Sequence, residues 1–237
     1  MNTGIDLNFE YQIVRSKRKT VAIHLRNGLV EVRAPQRIDS DWVQQFVENK
    51  AGWINTQLAR QLKNQAEQYR MADGEIITFL GRELQLQLRL ASRNKVYIEA
   101  GKLCIEGRIE TPEKALKIFH GWLKDQARTY MIPRTEAYAA RLGVEGSLQQ
   151  IRFRKTRSKW GHCSSKGIIQ FNELIMLAPA TVVEYLIIHE VCHLVHMNHS
   201  RQYWKLVASH CADYSEIKTW LSENGHRFWF DTKPQKT

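Results

Sequence analysis

The sequence predicts an α+β fold in which a β-rich N-terminal portion precedes a mainly helical C-terminal portion. Alternating apolar and polar residues, such as those at Leu84, Leu86 and Leu88, recur in the N-terminal portion, and this period of two is that of a half-buried strand. Apolar runs with helical spacing dominate after Thr111, and one of them contains the pattern His-Glu-x-x-His, which begins at His189.

The N-terminal region, residues 1–108, is predicted to combine short strands with one long helix. Asp39 or Ser40 caps this helix, which continues to about Gln68 with an apolar stripe that includes Trp42. The predicted strands are Tyr11–Val14, Thr20–Leu25, Val30–Ala34, Ile76–Leu80, Glu83–Leu90, Lys95–Glu99 and Leu103–Glu106.

The C-terminal region, residues 109–231, is predicted to be helical around one β-hairpin. Thr111-Pro112-Glu113 is a typical helix start, because a capping hydroxyl precedes a proline in the first turn. The predicted elements are helices from Thr111 to about Met131, from Pro133 to about Leu142, over Ala180–His196, from Ser200 and over Ser215–Ser222, with the hairpin strands Leu148–Lys155 and Ile168–Asn172. Residues 232–237 are expected to form a loose tail.

The composition is that of a soluble globular protein of one large domain or two modest ones. The chain has 237 residues, of which 43% are hydrophobic and 25% charged. It contains no apolar run of membrane-spanning length and no secretory signal pattern, so we expect no membrane partner. Four scattered cysteines (Cys104, Cys163, Cys192 and Cys211) form no C-x-x-C pair, which favours reduced thiols and a cytoplasmic location.

The most informative stretch reads His189-Glu190-Val191-Cys192-His193 and is followed by His199. Histidines four apart project from one face of a helix, so both imidazoles can reach the same metal ion. Glu190 lies beside that ion and can accept a proton from a bound water. His199 can close a site of three nitrogen ligands after one turn of the chain. The fourth position stays open, and an open position separates a catalytic zinc from a structural one.

The surroundings of this motif favour a metal site over histidines that merely face solvent or a core. Residues such as Val183, Ile187 and Val191 make the helix apolar around most of its surface, so it is predicted to be buried. Buried histidine and glutamate side chains need partners, and a metal supplies one. His196 follows His189 by about two turns and is assigned to the surroundings of the metal rather than to its ligands.

The positive charge favours anionic partners, such as nucleic acid, nucleotides or acidic polypeptide, without identifying one. The net charge is +11, and the stretch from Ile151 to Ile169 carries Lys and Arg but no acidic residue. A solvated hairpin face is the alternative interpretation of this stretch. The candidate anion-binding residues are Arg152, Arg154, Lys155 and Lys159.

Several segments together resemble the YgjP-like metallopeptidase family, which is related to the SprT-like and WLM zinc proteases. These segments are Arg157–Gly167, Ile168–Asn172, Leu177-Ala178-Pro179, His189–Ser200 and Tyr203-Trp204. The resemblance implies a zinc-dependent, zincin-like (minigluzincin-like) catalytic domain. Position by position, it implies His189, His193 and His199 as metal ligands and Glu190 as the catalytic acid/base. Glu216 is the alternative third ligand of a thermolysin-like site.

The main functional hypothesis is a zinc-dependent metallopeptidase that acts on peptides or proteins. Zn²⁺ lowers the pKa of a bound water to about 7 and polarises the scissile carbonyl, while Glu190 transfers the proton. The candidates for contacting the substrate or stabilising the oxyanion are His162, Tyr203 and Arg157. The strand Ile168–Asn172 is the candidate edge on which an extended peptide would add.

Three alternatives stay open. The same metal with the basic stretch would suit hydrolysis of a phosphoanhydride, such as a nucleoside triphosphate, because Arg and Lys neutralise phosphate charge. A nucleic-acid-associated protease of the SprT or WLM kind is the second alternative, and salt-dependent binding to DNA would support it. The third is a binding module with a vestigial metal site, which the intact Glu190 disfavours.

Overall fold

The structure is a computed structural model that describes residues 7–26, 28–156 and 159–231. Strands and helices are both abundant, so the protein is of mixed α and β class. Contacts divide the chain into two units, one up to Glu67 and one from Gln68 onward. This division falls well before the predicted boundary at residue 108, because the strands that follow Gln68 share one core with the C-terminal helices. The predicted tail at 232–237 lies outside the described residues.

The first unit combines a three-stranded sheet with two helices. Its elements are β1 (Tyr11–Ser16), β2 (Ala22–Arg26), β3 (Leu29–Pro35), α1 (Ser40–Asn49) and α2 (Ala51–Ala66). Strand β3 is central, parallel to β1 and antiparallel to β2. Alternate residues of β3 pack on the helices and form a core of Val30, Val32, Ala34, Val43, Val47 and Ile54.

The single long helix predicted after Asp39 is wrong, because the chain forms two helices that meet at Lys50. The backbone of Lys50 leaves the helical conformation, with φ −102° and ψ 1°. Asp39 caps α1 as expected, and its carboxylate accepts a hydrogen bond of 2.6 Å from the N–H two residues later. The predicted core position Trp42 is 49% exposed, and α1 buries Val43 and Val47 instead.

The second unit contains three sheets and, among its described residues, four helices. Its strands are β4 (Tyr69–Arg70), β5 (Ile76–Phe79), β6 (Arg82–Leu90), β7 (Lys95–Glu99), β8 (Lys102–Gly107), β9 (Gln150–Phe153), β10 (Gly161–Cys163), β11 (Ile168–Phe171) and β12 (Phe230–Asp231). Its helices are α3 (Pro112–Arg141), α4 (Ala180–Cys192), α5 (Arg201–His210) and α6 (Tyr214–Asn224). The sheet orders are β5-β6-β8-β7, β10-β11-β9 and β12-β4. The strands predicted between residues 76 and 106 are thus confirmed.

Helix α3 is one continuous helix, so the prediction of two helices separated at Pro133 is wrong. Proline lacks the N–H that would bond back along the helix. Two neighbouring side chains bond helix carbonyls at this point: Arg134 donates to the carbonyl of Tyr130 at 2.9 Å, and Thr135 donates to that of Met131 at 2.7 Å. Residues on both sides of the proline are buried in the same core, and this packing outweighs the local preference.

The small sheet next to α4 differs from the predicted hairpin in its connectivity. Strands β9 and β11 are parallel, whereas β10 and β11 form the antiparallel hairpin. The hairpin turns at Gly167, where φ is +71° and the N–H bonds to the carbonyl of Ser164 at 3.0 Å. Strand β11 is therefore central, and the expectation that Ile168–Asn172 offers a free edge is wrong. Strand β10 is the edge of this sheet that contacts α4.

Helix α4 is buried on nearly all sides, as its apolar sequence predicts. It contributes Val183, Ile187 and Val191, each fully buried, to the main core. It ends at Cys192, earlier than predicted, and the chain turns without a left-handed residue at Asn198. No described helix is both long enough and apolar enough to cross a membrane.

We predict that Gly167→Ala destabilises the protein by at least about 2 kcal/mol, because the hairpin that places β10 depends on this glycine. Its φ is +71°, and an added Cβ would overlap the carbonyl oxygen of Ser147. Urea denaturation measures the change. Gly146→Ala is the matched control, because Gly146 lies nearby with nothing within 4 Å of its added Cβ. Equal losses in the two variants would contradict this account.

Candidate metal centre

Three imidazoles converge where α4 ends and α5 begins. His189 lies in the last turn of α4 and His193 at its C-cap, so the four-residue spacing places both on one side of the helix. The chain then turns back. Ser200 caps α5 by accepting a hydrogen bond of 3.3 Å from the N–H of Tyr203. This cap fixes the adjacent His199 opposite the other two histidines.

These three side chains, called here the histidine cluster, have the geometry of a metal site. One ligand atom from each of His189, His193 and His199 lies within 4.8 Å of the other two. Two nitrogens bound to zinc at 2.0–2.1 Å in tetrahedral arrangement are about 3.3 Å apart. The Nε2 atoms of His189 and His199 are 3.3 Å apart. The donor set therefore fits a zinc ion held by three imidazoles.

A hydrogen bond on the far side of the His193 ring fixes which of its two nitrogens is free. The Nδ1 of His193 lies 3.0 Å from the carbonyl oxygen of His196, which can only accept, so this Nδ1 carries the proton. The Nδ1 of His189 contacts the hydroxyl of Tyr185 at 3.4 Å. In metal sites such outer contacts orient the ligand and leave Nε2 unprotonated towards the metal. His196 thus belongs to the surroundings of the cluster, and it contributes its carbonyl.

Burial keeps His189 and His193 in the form that binds a metal. Burial, with smaller contributions from His193, His199 and Lys218, lowers the pKa of His189 to about 3. Burial also lowers the pKa of His193. Both imidazoles are therefore neutral near pH 7, and a neutral imidazole is the state that ligates a metal.

Aromatic side chains of α5 support the cluster. The ring of Tyr203 stacks on His193 at 4.5 Å, and its hydroxyl donates to the carbonyl of His189 at 2.9 Å. The ring of Trp204 stacks on His199 at 5.3 Å. Tyr203 is fully buried and its hydroxyl proton is donated to this carbonyl, an arrangement that disfavours its predicted role as an oxyanion donor. It holds two histidines in place instead.

Glu190 lies between α4 and β10 with almost no access to water. Its side chain is 3% exposed, and its Oε2 has no hydrogen-bond partner within the described part of the chain. Burial raises the pKa of Glu190 to about 8, against an opposing contribution from the charge of Lys159. A buried carboxyl with an unused oxygen and a raised pKa has the properties of a general base.

The remaining predicted site residues lie in different places. His162 is an exposed residue of β10, and its charge helps to lower the pKa of His193. Glu216 is exposed on α6 and is not a member of the histidine cluster. Arg157 lies outside the described residues, so its predicted role stays a prediction.

The four candidate anion-binding residues are spread along the chain before β10. Arg152 lies on β9, the opposite edge of the sheet from β10, and donates to Gln150 at 2.7 Å. The Nζ of Lys155 contacts the Nε2 of His120 at 3.3 Å. Arg154 and Lys159 are exposed. The positive charge of Lys159 acts to lower the pKa of Glu190. The structure therefore brings Lys159 near the candidate site and places Arg152 away from it.

Sequence reasoning missed two residues that shape the site. Gly161, which lies between the two strands of the predicted hairpin, belongs to β10 and lies directly beside the Glu190 side chain. A glycine within a strand often marks a close approach of other atoms, so its position was an available signal. The hydroxyl contact of Tyr185 had no signal beyond its spacing of four residues before His189.

A mixed α and β protein with converging imidazoles beside a buried carboxyl has the site of a metal-dependent hydrolase. The family model described as YgjP-like, metallopeptidase domain, matches residues 19–224. The chain therefore belongs to the YgjP-like metallopeptidase family. This confirms the family resemblance found in the sequence.

The chain is similar in structure to the metallopeptidase zymogen of abylysin from Pyrococcus abyssi, with a TM-score of 0.33 and 21% sequence identity. The similarity covers 38% of this chain and 91% of that chain. A search of curated proteins gave no match.

We predict that Glu190→Gln stabilises the metal-free protein at pH 8 by about 2–4 kcal/mol and changes its stability little near pH 4.5. Between its ordinary pKa of 4.5 and about 8, the unfolded chain ionises at Glu190 while the folded protein stays protonated. Wild-type stability therefore falls as the pH rises through this window, whereas glutamine contributes no such loss. Denaturation of chelator-treated protein at both pH values measures the difference.

The exposed Glu216→Gln on α6 is the control for this measurement, with no gain expected at either pH. A Glu190→Gln variant that is less stable than the wild type at pH 8 would contradict the assignment of a buried, protonated carboxyl.

Proposed function

We propose that the protein is a zinc-dependent peptidase of zincin-like architecture. In this proposal His189, His193 and His199 hold the metal, and Glu190 is the general acid/base. The observation that carries the proposal is the convergence of three imidazoles, with two Nε2 atoms 3.3 Å apart, beside a buried carboxyl. Three protein ligands leave one position for substrate or water, which is the arrangement of catalytic rather than structural zinc sites.

The metal supplies the electrophile in this proposal. When bound, zinc polarises a carbonyl oxygen and brings the pKa of a bound water to about 7. Imidazole nitrogen suits several transition metals, and three neutral imidazoles in tetrahedral geometry suit zinc well.

Glu190 moves the proton. Because its carboxyl is buried and its Oε2 lacks a partner in the described structure, it binds a proton more readily than an exposed glutamate. It can therefore accept the proton of the attacking water at one carboxylate oxygen and return it to the leaving amine. A base with a pKa near the working pH performs both transfers efficiently.

Strand β10 offers the substrate a place to bind. Hydrogen bonds join Trp160 to Asn172 and Ser164 to Ile168 across the hairpin. In an antiparallel pair, bonded and non-bonded positions alternate, so the N–H and C=O of Gly161 and Cys163 point away from β11. An extended peptide can pair with these groups as an added strand. Its backbone would then pass beside Glu190, which lies against Gly161.

The alternatives from the sequence analysis remain hypotheses for assay. Phosphoanhydride hydrolysis requires cations around the metal, and Lys159 is the candidate that lies near Glu190. Association with nucleic acid and a cytoplasmic location likewise stay predictions.

We predict that His199→Ala lowers zinc content to well below one ion per chain, whereas Glu216→Ala leaves it unchanged. Removing one of three nitrogen ligands breaks the site, but Glu216 lies outside the histidine cluster. Zinc content after dialysis at fixed free zinc measures both variants. Full zinc in His199→Ala together with loss in Glu216→Ala would reverse the choice of third ligand.

We predict that Glu190→Gln keeps its zinc and loses peptide hydrolysis by about 10²–10⁴-fold in kcat, the usual contribution of a general base. The assay uses denatured protein and unstructured peptides, each with and without chelator. Glu216→Gln is the control of the same chemical change on an exposed residue, and its rate should equal that of the wild type.

Nucleoside triphosphates form a second arm of the same assay. Chelator-sensitive hydrolysis of triphosphates without any hydrolysis of peptides would assign the site to the phosphoanhydride alternative. Wild-type rates of peptide hydrolysis in Glu190→Gln would refute the proposed role of this residue.

A further inference from the structure

The backbone conformation at Gly161 in β10 does not explain why this residue is a glycine. Its φ lies outside the left-handed region, which in the described chain is adopted by other glycines, such as Gly167 and Gly143. Any residue can adopt the backbone conformation found here. A strand interior also disfavours glycine, because it lacks a side chain to pack. The reason for glycine must therefore be the space around its Cα.

The carboxyl of Glu190 fills the space that a side chain at position 161 would need. A Cβ built on Gly161 would lie 2.6 Å from Cδ and 2.7 Å from Cγ of Glu190, and closer still to Oε1. Its three nearest atoms all belong to Glu190. Contacts this short do not occur between real carbon atoms, so the two side chains cannot coexist in these positions.

The residue before Gly161 is held in place, which limits how far β10 can shift to relieve this overlap. The preceding Trp160 packs against Phe228 and Trp229, with ring centroids 6.0 and 5.5 Å away. Its carbonyl accepts a hydrogen bond of 2.7 Å from the N–H of Asn172. An aromatic cluster and the pairing with β11 therefore hold the backbone on the N-terminal side of Gly161.

The glutamate is equally constrained from the other side. Its neighbours in α4, Val191 and Cys192, are fully buried, so the helix cannot rotate without disrupting the core. The glutamate side chain itself is 3% exposed. The response left to an added methyl group is a change in the torsion angles of Glu190, which would carry its carboxyl away from its present position.

We propose that Gly161 is a positioning residue that sets the place of the Glu190 carboxyl relative to the histidine cluster. This inference rests on the proposed role of Glu190 as the general base. Gly161 acts through Glu190, and its backbone groups also lie on the strand edge open to substrate. A displacement of about 1 Å of a reacting group lowers a rate about 10²-fold, so the position of this carboxyl is a sensitive quantity.

The activity test compares Gly161→Ala with Gly121→Ala in the full chain loaded with zinc. Gly121 is an exposed residue of α3 with nothing within 4 Å of its added Cβ, so its variant should keep the wild-type rate. We expect Gly161→Ala to keep its zinc and KM and to lose about 10²-fold in kcat. In the Glu190→Gln background, Gly161→Ala should cause little further loss, because the base that it displaces is already absent.

A thermal cycle tests the position without any activity. In zinc-free protein, Gly161→Ala should lower the Tm by about 3–6 °C, because of the overlap with Glu190. In the Glu190→Ala background the space is open, and the same change should lower the Tm by less than about a third of that amount. If the wild-type protein hydrolyses no substrate, the proposed function is refuted. The comparison of Tm changes still tests whether Gly161 sets the position of the Glu190 carboxyl.

Three results would overturn the inference. The first is a kcat of Gly161→Ala within twofold of the parent. The second is a rise in KM at unchanged kcat, which would assign Gly161 to substrate binding alone. The third is a change in Tm that is the same in the presence and absence of the Glu190 carboxyl.

Discussion

The burial of polar side chains inside α4 is the constraint on which the second unit depends. This helix lies within the core, yet the buried Glu190 and the half-buried His189 in its last turn carry polar atoms that need partners. A buried polar group without a partner lowers stability by about 1–3 kcal/mol. The helix therefore cannot be explained as a packing element alone. Its apolar residues hold it rigidly in the core, and this rigidity gives the polar atoms defined positions.

The surrounding elements satisfy these polar atoms only in part. The turn after α4 supplies the carbonyl of His196 to His193, and α5 supplies the hydroxyl of Tyr203 to the carbonyl of His189. These contacts use the outer atoms of the site. The Oε2 of Glu190 has no hydrogen-bond partner among the described residues, and the Nε2 atoms of His189 and His199 lie 3.3 Å from each other, where the proposed metal would bind. The contacts that stabilise the site therefore use atoms on its outer side, and the atoms on its inner side remain available for a metal and a substrate.

The parts of this arrangement that follow from nearby residues could be predicted, and the parts that follow from distant pairing could not. The spacing of His189 and His193 and the caps at Asp39 and Thr111 are local, and the structure has them as expected. The parallel pairing of β9 with β11 joins segments between which β10 lies in the sequence, and no local pattern specifies this pairing. Pro133 is a second case in which local sequence misleads. Proline normally ends a helix, but the packing along α3 keeps this helix continuous.

The electrostatics of the site link its stability to the metal. Burial holds His189 neutral and Glu190 protonated, and the Nε2 atoms of His189 and His199 lie 3.3 Å apart. A divalent cation held by these nitrogens would favour the ionised form of the nearby carboxyl. In the proposed mechanism, metal binding would therefore stabilise the fold and ionise Glu190, the proposed base, together. Because the carboxyl of Glu190 lies against Gly161 of β10, the negative charge formed on ionisation would lie beside the strand edge where the proposed substrate would pair.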